Sequence, residues 1–321
     1  MKIEIKYTIK AILSGIDETV INYLDFGNSY LITKDSLTNY KLWEEFDYTP
    51  FGIRRIYETS KLNNKLEIAL LTKNSCVNYN VTEIMHNDEK ALNFEEIYKF
   101  ISDFENKELN YVDETMRHIR LFSENCFNIK ELLFKCDVIN LEDNTQIISN
   151  INSKISLPDK ILDNISKLHI ESEAKSQEIN NFIKNIDTKI SSSNFSPEII
   201  KLACFLYDQS YTAPVETLRF MVCVIAMESI LVKGNLELSY RFSRNGAMLL
   251  SNNVEEYWQF SNIFKEIYKR RSNYVHTGKL DNLHLENIIQ ARDVLRNIIL
   301  SVLSKNKSKD DLLRELEVKG F

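Results

Sequence analysis

Hydrophobic and polar positions follow two different periods along the chain, and the period changes near residue 90. In the first 90 residues, apolar side chains recur at every second position or in short β-rich runs between turn-forming breaks, which is typical of strands. The predicted strands are KIEIKYTI (2–9), NSYLIT (28–33), GIRRIYETS (52–60), KLEIALLT (65–72) and NYNVTEIM (78–85).

Beyond this region the apolar spacing changes to that of helices. Two helices are predicted at 94–107 and 113–124, and the polar stretch 140–160, which contains Pro158, marks the expected domain boundary. From Asp159 onward the pattern is helical throughout. The predicted helical segments are 158–186, 191–209, 213–234, 236–251, 252–278 and 282–303. Helices of ~20 residues joined by short breaks favour an antiparallel bundle.

These patterns predict an α+β protein with two domains. Residues 1–155 form a strand-rich N-terminal domain with some helices, and residues 156–321 form a helical domain. A chain of 321 residues is long enough for two domains with substantial cores.

Charge and composition narrow the classes of partner. The net charge is −6, but residues 1–160 carry −7 and residues 161–321 carry +1, so the second half is the expected contact for a polyanion. The longest apolar run, 220–232, is interrupted by a glutamate and is too short to span a bilayer, so no membrane partner is expected. The start of the chain does not resemble a signal peptide. Five cysteines without a CxxC pair indicate reduced thiols, a cytoplasmic protein and no zinc site.

Two charged residues occupy positions that should face the helical core. In the segment 252–278, Arg271 falls between Ile267 and Tyr274 on the apolar stripe, whereas Lys269 and Arg270 lie off that stripe. In the segment 213–234, Glu228 follows Ile225 by three residues on the apolar side. A buried charge costs several kcal/mol unless it is paired. We therefore expect Glu228 and Arg271 to pair with each other or with the arginines of the intervening helix, Arg241 and Arg244.

His276 lies five residues after Arg271, which is about 140° around a straight helix, so the two side chains converge only if the chain bends between them. Gly278 can end the helix, and an end near Val275 would let His276 turn back towards the arginine. The alternative is structural, because basic residues at a helix C-terminus complement the helix dipole.

Three segments, in this order and spacing, resemble the Apea-like branch of the HEPN superfamily. They are LRFMVCVIAMESIL, LSYRFSRNGAMLL and FKEIYKRRSNYVHTGKL, and the resemblance covers roughly residues 195–305. It implies an all-α HEPN-type bundle and a metal-independent endoribonuclease that needs no cofactor. It also implies a homodimer, formed through the helical domain, in which two Arg-x4-6-His motifs face each other across a basic cleft that binds RNA.

Carried over by position, the motif arginine is Arg271 and the motif histidine is His276. The slot after the arginine, often Asn, Asp or His in the superfamily, holds Ser272, as in the Apea-like branch, and Thr277 stands between the histidine and the family's glycine. The expected supporting residues are Glu228, Ser272 and Asn273, and the expected phosphate-binding residues are Lys269, Arg270 and Lys279.

The implied chemistry suits these side chains. RNA supplies its own nucleophile in the 2′-OH group. A histidine can take and return a proton near neutral pH, and an arginine can hold the phosphate with its fork of donors. The family also implies a toxin or antiviral effector with a regulatory protein partner. The rival functions are a non-catalytic HEPN module for dimerisation or partner binding, and an RNA-binding sensor that does not cleave.

Overall fold

The chain forms an α+β protein in which an antiparallel sheet precedes a helical region. The structure, a computed structural model, describes residues 1–36, 67–86, 89–129, 131–157, 165–234, 236–278 and 283–319. Two compact units are present, Met1–Lys184 (unit 1) and Asn185–Phe321 (unit 2). The sequence pattern predicts the division after residue 155, close to Pro158, which lies outside the described residues.

Unit 1 contains an antiparallel sheet with the strand order β2-β3-β1-β7-β8, and the short β6 also pairs with β1. Strands β4 and β5 form a separate two-stranded sheet. The strands are β1 (Lys2–Ser14), β2 (Leu31–Ser36), β3 (Glu67–Asn80), β4 (Glu83–His86), β5 (Glu89–Leu92), β6 (Asn128–Ile129), β7 (Glu131–Asn140) and β8 (Gln146–Ser156). The predicted strand 52–60 lies outside the described residues.

The central strand confirms the alternating pattern from which it was predicted. Along β1, every odd-numbered side chain from Ile3 to Leu13 is buried, and the even-numbered ones are more exposed. β1 pairs with β3 from Lys2↔Asn80 to Leu13↔Ala69. Because side chains alternate between the faces of a strand, one face of β1 is committed to the core.

Strand β8 corrects the prediction that 140–160 is only a polar boundary. Its sequence, QIISNINSKIS, is rich in Asn and Ser, and most of its side chains are exposed or half-buried. It lies at an edge of the sheet, where one neighbour is missing and the apolar signal of a strand is weaker.

The two helices predicted at 94–107 and 113–124 are one helix, α2 (Phe94–Phe122). A shorter helix, α1 (Glu18–Tyr23), precedes it. The apolar stripe of α2 is interrupted because Glu105 and Glu108 occupy buried positions between Ile101 and Val112. These carboxyl groups made the sequence resemble two helices, although the backbone continues through them.

Glu108 belongs to a closed network of contacts inside unit 1. The Nζ atom of Lys73 lies 2.7 Å from Oε1 of Glu108, and both side chains are buried. The hydroxyl group of Tyr30 donates to Oε2 of Glu108 at 2.8 Å, and the amide of Asn28 donates to the same oxygen at 3.4 Å. Both carboxylate oxygens therefore have partners, as a buried charge requires.

The predicted helix 158–186 begins later than expected. The helix α3 (Glu173–Ser191) starts fifteen residues after Pro158, and the residues just before it are not helical. Leu168 instead forms a parallel bridge with Ile16, and its backbone N–H donates to the carbonyl of Gly15 at 2.8 Å. These bonds hold the segment extended against the end of β1. The division between the two units falls inside α3.

Unit 2 is helical over its described residues. Its further helices are α4 (Pro197–Thr212), α5 (Glu216–Leu231), α6 (Leu238–Leu250), α7 (Val254–Thr277), α8 (Leu285–Lys305) and α9 (Lys309–Val318). Helices α4 to α8 confirm the predicted segments. α9 is an addition that the sequence analysis did not include. α5 packs against α4, α6, α7 and α8 and is the central helix of the unit.

Helices α6 and α9 cap each other through long basic side chains. Arg244 on α6 donates to the carbonyls of Leu316 and Glu317, at the end of α9, at 2.6 and 2.8 Å. Lys319, just after α9, donates to the carbonyls of Met248 and Ser251, at the end of α6, at 2.9 and 3.0 Å. The last carbonyls of a helix lack partners within the helix, so each contact satisfies an acceptor that would otherwise need water.

None of the five cysteines, all of which lie within the described ranges, forms a disulfide. Among the described residues, no helix combines the length and apolar character needed to cross a bilayer.

Candidate functional site

The helix that carries the candidate motif, α7, has well-defined ends. The side chain of Asn253 accepts from the backbone N–H of Glu256 at 2.9 Å and caps the first turn. The helix runs through Thr277 and ends at Gly278, which has a left-handed φ of 70° and donates its N–H to the carbonyl of Tyr274. This is the usual conformation of a glycine that terminates a helix.

Close packing against α6 fixes the position of α7. A methyl group added at Gly246 would lie 2.4 Å from the ring of Phe264, so this position requires glycine. The ring centroid of Phe242, on α6, lies 5.5 Å from that of Phe264 and 5.4 Å from that of Tyr268. These rings hold the face of α7 on which the candidate arginine lies.

Arg271 forms an ion pair with Glu228 of α5, which was the first of the partners considered for these two charges. The Nε atom of Arg271 lies 3.0 Å from Oε1 of Glu228 without hydrogen-bond geometry, and Nη2 donates a hydrogen bond of 3.4 Å to Oε2. Each side chain is 24% exposed. The guanidinium also lies over the ring of Tyr268, 5.7 Å from its centroid. Glu228 thus holds one edge of the guanidinium, while the rest of the group reaches solvent.

The alternative partners of this pair have other roles. Arg241 donates to the carbonyl of Lys233 at 3.3 Å, and Arg244 caps α9. Neither arginine has an ion pair with Glu228 in the structure. The ion pair therefore joins α5 directly to α7 without passing through α6.

The end of α5 next to Glu228 is capped from two sides. Lys309 of α9 donates to the carbonyl of Ser229 at 2.6 Å, and the amide of Asn245 donates to the carbonyl of Leu231 at 2.9 Å. Burial lowers the pKa of Lys309 below its ordinary value, although the carboxylate of Asp310 opposes this. These bonds fix the last turn of α5 and with it the backbone of Glu228.

His276 does not turn back towards Arg271. It lies inside α7, is exposed, and has no hydrogen bond or ion pair with any residue that the structure describes. The helix does not end near Val275, where an end would let His276 turn back, but continues to Thr277. Five residues along a helix correspond to about 140° and ~7.5 Å, so within one chain the two side chains point in different directions.

The other candidate residues are spread around the C-terminal half of α7. Ser272 is half-buried, and Lys269 and Asn273 are exposed. Arg270 forms an ion pair with Glu266, one turn earlier on the same helix, at 3.1 Å. Lys279 lies outside the described residues. The structure therefore brings Glu228 and Arg271 into contact, and leaves Lys269, Asn273 and His276 facing solvent at the same end of the helix.

A separate groove of about 580 Å³ lies at the other end of α7. Its lining includes Leu250, Phe260 and several residues of α8, among them Asn297 and Lys305. Phe260 precedes Arg271 by eleven residues, or ~16 Å along a helix, so the groove is not part of the candidate site.

Metal ligands do not cluster anywhere in the described ranges: no three His, Cys, Asp or Glu side chains there are arranged to hold an ion. Comparison of the chain with protein-family models, with curated proteins and with solved structures finds no match.

Sequence analysis missed the residues that position the site from outside α7. Gly246 carried a signal, because a glycine within a helical pattern often marks a close approach of another element. Lys309 carried none, since a lysine at the start of a short polar helix looks like a solvated residue. The role of Asn245 likewise depends on where α5 ends in three dimensions.

Proposed function

We propose that unit 2 is a metal-independent endoribonuclease of HEPN type that acts as a homodimer. The observation that carries this proposal is the state of Arg271, whose guanidinium is held along one edge by Glu228 at the helix end that exposes His276. A fixed guanidinium that still reaches solvent suits the recognition of a phosphate, because its remaining donors are already oriented.

The reaction proposed for these residues is attack by the RNA on itself. His276 takes the proton of a 2′-OH group, and the resulting oxygen attacks the adjacent phosphorus. The bond to the 5′ oxygen breaks, and that oxygen receives a proton as it leaves. The products are a 2′,3′-cyclic phosphate and a free 5′-OH end. Arg271 binds the non-bridging oxygens, whose negative charge grows in the transition state.

Two chains are needed because a single chain separates its two candidate groups. His276 and Arg271 point about 140° apart on a straight helix, so they do not meet on one phosphate. In a dimer with two-fold symmetry, the histidine of one copy can approach the arginine of the other, and the second histidine can act as the acid. The dimer also doubles the positive charge that meets the RNA.

The remaining candidate residues have smaller proposed roles. Lys269, Arg270 and Lys279 would attract the RNA backbone, since basic side chains displace the counterions of nucleic acids. Ser272 and Asn273 would support the orientation of the motif. Five cysteines without a disulfide support a cytoplasmic site of action, where RNA is abundant. A toxin or antiviral effector of this kind would need a regulatory partner to restrain it.

One observation favours a second candidate function, a non-catalytic HEPN module for dimerisation, partner binding or RNA binding. Arg271 already has a carboxylate partner at 3.0 Å, and a phosphate must compete with that carboxylate for the guanidinium. In this case the pair only joins α5 to α7. The two functions predict different effects of the loss of His276 on RNA cleavage: the rate falls if unit 2 is a nuclease and does not change if it is a non-catalytic module.

The test is RNA cleavage by the purified protein in EDTA, with mixed RNAs as substrate. We expect cleavage to persist and to leave 2′,3′-cyclic phosphate ends. His276→Ala should reduce the rate at least a hundredfold, on the scale of lost acid–base catalysis. Arg271→Lys should keep the ion pair and the fold but lose the fork, and with it most of the activity.

The matched control is His284→Ala, which removes another exposed histidine of unit 2 and should leave the rate unchanged. If His276→Ala cleaves RNA as fast as the parent, the nuclease proposal fails and the non-catalytic module stands. Activity that disappears in EDTA and returns with magnesium would contradict the proposed mechanism.

A further inference from the structure

Helix α5 is apolar on all sides. Between Glu216 and Glu228 its one charged side chain is Arg219, which is buried and donates to the carbonyl of Ala213 at 2.9 Å. A helix at the surface of a domain normally presents a polar face to water, whereas a helix that is hydrophobic all round is normally enclosed. The composition of α5 therefore predicts a helix that is covered on every face.

The described residues of unit 2 do not cover it completely. α5 packs against four helices, yet Leu218 is 42% exposed and Ile225 is 46% exposed. Val222, half-buried, lies between them at the spacing of one helix face. These three residues form an apolar stripe, called here the α5 stripe, that faces solvent.

Neighbouring residues extend this surface towards the candidate site. Glu228 follows Ile225 by three residues on α5, and Val275, which is half-exposed, follows Arg271 by four residues on α7. Residues three or four apart lie on one side of a helix, so an apolar side chain flanks the ion pair on each helix. α4, which packs against α5, also exposes Leu202 and Phe205.

We infer that the α5 stripe is the surface through which two copies of this chain associate. A two-fold interface buries the same patch on both copies, so the patch must be self-complementary. The α5 stripe meets this requirement because it carries no charge that would repel its copy. The adjacent pair of Glu228 and Arg271 is neutral as a whole.

The size of the surface also fits a second copy. Leu202, Phe205, Leu218 and Ile225, each nearly half-exposed, together with Val275 expose on the order of 400 Å² of apolar surface, which is comparable with the largest and often functional apolar patch of a monomer. A stable interface buries ~800 Å² per partner, of which roughly 60% is apolar. These side chains would supply most of the apolar part of such an interface, and the polar rim can include the ion pair.

This placement deepens the proposed function. Burial of the α5 stripe would bring Arg271 of each copy to the edge of the interface, next to the other chain. The inference that the dimer completes an RNA site rests on the proposed function, whereas the α5 stripe as an interface does not.

The experiment measures oligomeric state, melting temperature and RNA cleavage on the same samples. In sedimentation at micromolar concentration we expect the parent to have twice the 37.6 kDa mass of one chain. Ile225→Glu should be a folded monomer, because two carboxylates would meet in an apolar contact. Trp258→Glu is the matched control, since Trp258 is an equally exposed apolar residue on α7 outside the α5 stripe, and it should remain dimeric.

If Ile225→Glu does not fold, the uncharged Ile225→Thr replaces it and should weaken the dimer at least tenfold in dissociation constant. A monomeric parent, or variants that dimerise as tightly as Trp258→Glu, would overturn the inference. If Ile225→Glu is monomeric and still cleaves RNA at the parental rate, the α5 stripe is supported as the interface. The proposal that two chains together form the RNA site then fails. If the parent is dimeric through the α5 stripe but cleaves no RNA, the interface is supported and the nuclease proposal fails.

Discussion

Two ion pairs of this protein bury their charges to different degrees. In unit 1, Lys73 and Glu108 are enclosed, and Tyr30 and Asn28 complete the hydrogen bonds of the carboxylate. In unit 2, Glu228 and Arg271 are each 24% exposed, and Nη1 of Arg271 has no partner among the described residues. In the first pair the carboxylate oxygens all have partners, whereas in the second pair Nη1 of the guanidinium can still donate to a further partner.

This difference separates structural from functional charge. An enclosed pair cannot bind a ligand without breaking bonds, and its removal is costly. A half-exposed pair costs less to keep and can add a contact on its open side. The state of the remaining donors, rather than the presence of an ion pair, makes Arg271 a candidate and Lys73 part of the core.

The largest effect should follow from breaking the closed pair. Lys73→Met leaves the carboxylate of Glu108 buried without its cation, and we expect a loss of ~3–5 kcal/mol in the free energy of unfolding. Denaturant unfolding measures it. Lys73→Met/Glu108→Gln should recover part of the loss. Lys6→Met, which removes an exposed pair with Glu4 in the same sheet, is the control and should cost far less than Lys73→Met.

The next effect concerns the close packing of α7 against α6 at Gly246. Gly246→Ala improves helix propensity by up to ~1 kcal/mol. The added methyl group would lie 2.4 Å from the fully buried ring of Phe264, and we expect a net loss of about 2 kcal/mol from overpacking. Ser239→Ala, on the exposed side of α6, provides the propensity term alone. A Gly246→Ala variant with a higher melting temperature than the parent would contradict this close packing of α7 against α6.

A smaller loss is expected from opening the second pair. Glu228→Gln should cost about 1 kcal/mol, close to the upper end for exposed pairs and below the value for buried ones. Thermal melting beside Glu266→Gln, which removes the exposed partner of Arg270, gives the comparison. A loss as large as that of Lys73→Met would show that the two pairs do not differ.

The smallest effect depends on pH and concerns Glu105, the second buried carboxyl of α2. Burial raises its pKa, and a hydrogen bond from Ser153 opposes this in part. A raised pKa contributes stability that is present below the ordinary value of 4.5 and is lost as the pH rises through the folded value. Glu105→Gln should therefore have the same melting temperature as the parent in acid. As the pH approaches 7, its melting temperature should rise progressively above that of the parent. A constant difference between pH 4 and 7 would contradict this.

Sequence patterns predicted the elements that depend on local periodicity. The alternation along β1, the helices α4 to α8 and the contact between Glu228 and Arg271 follow from apolar spacing and from the cost of an unpaired charge. The RNA site and the dimer remain predictions, because they rest on a resemblance and on surfaces that meet only in an assembly.

The elements that the patterns missed depend on distant partners. α2 was divided in two because Glu105 and Glu108 interrupt its apolar stripe, and their partners come from other parts of unit 1. β8 was missed because its isoleucines are separated by Asn and Ser and are only partly buried at the edge of the sheet. The direction of His276 could not be predicted, since it depends on whether the helix stops before or after that residue.

The mutual capping of α6 and α9 has a consequence for the evolution of this unit. Arg244 and Lys319 donate to main-chain carbonyls, so the acceptor is present whichever residue stands at positions 248, 251, 316 or 317. Substitutions at those four positions leave the acceptors in place, provided that the helix ends stay where they are. We therefore expect Arg244 and Lys319 to persist among related chains while their partner positions drift, without the correlated changes that usually reveal contacts between side chains.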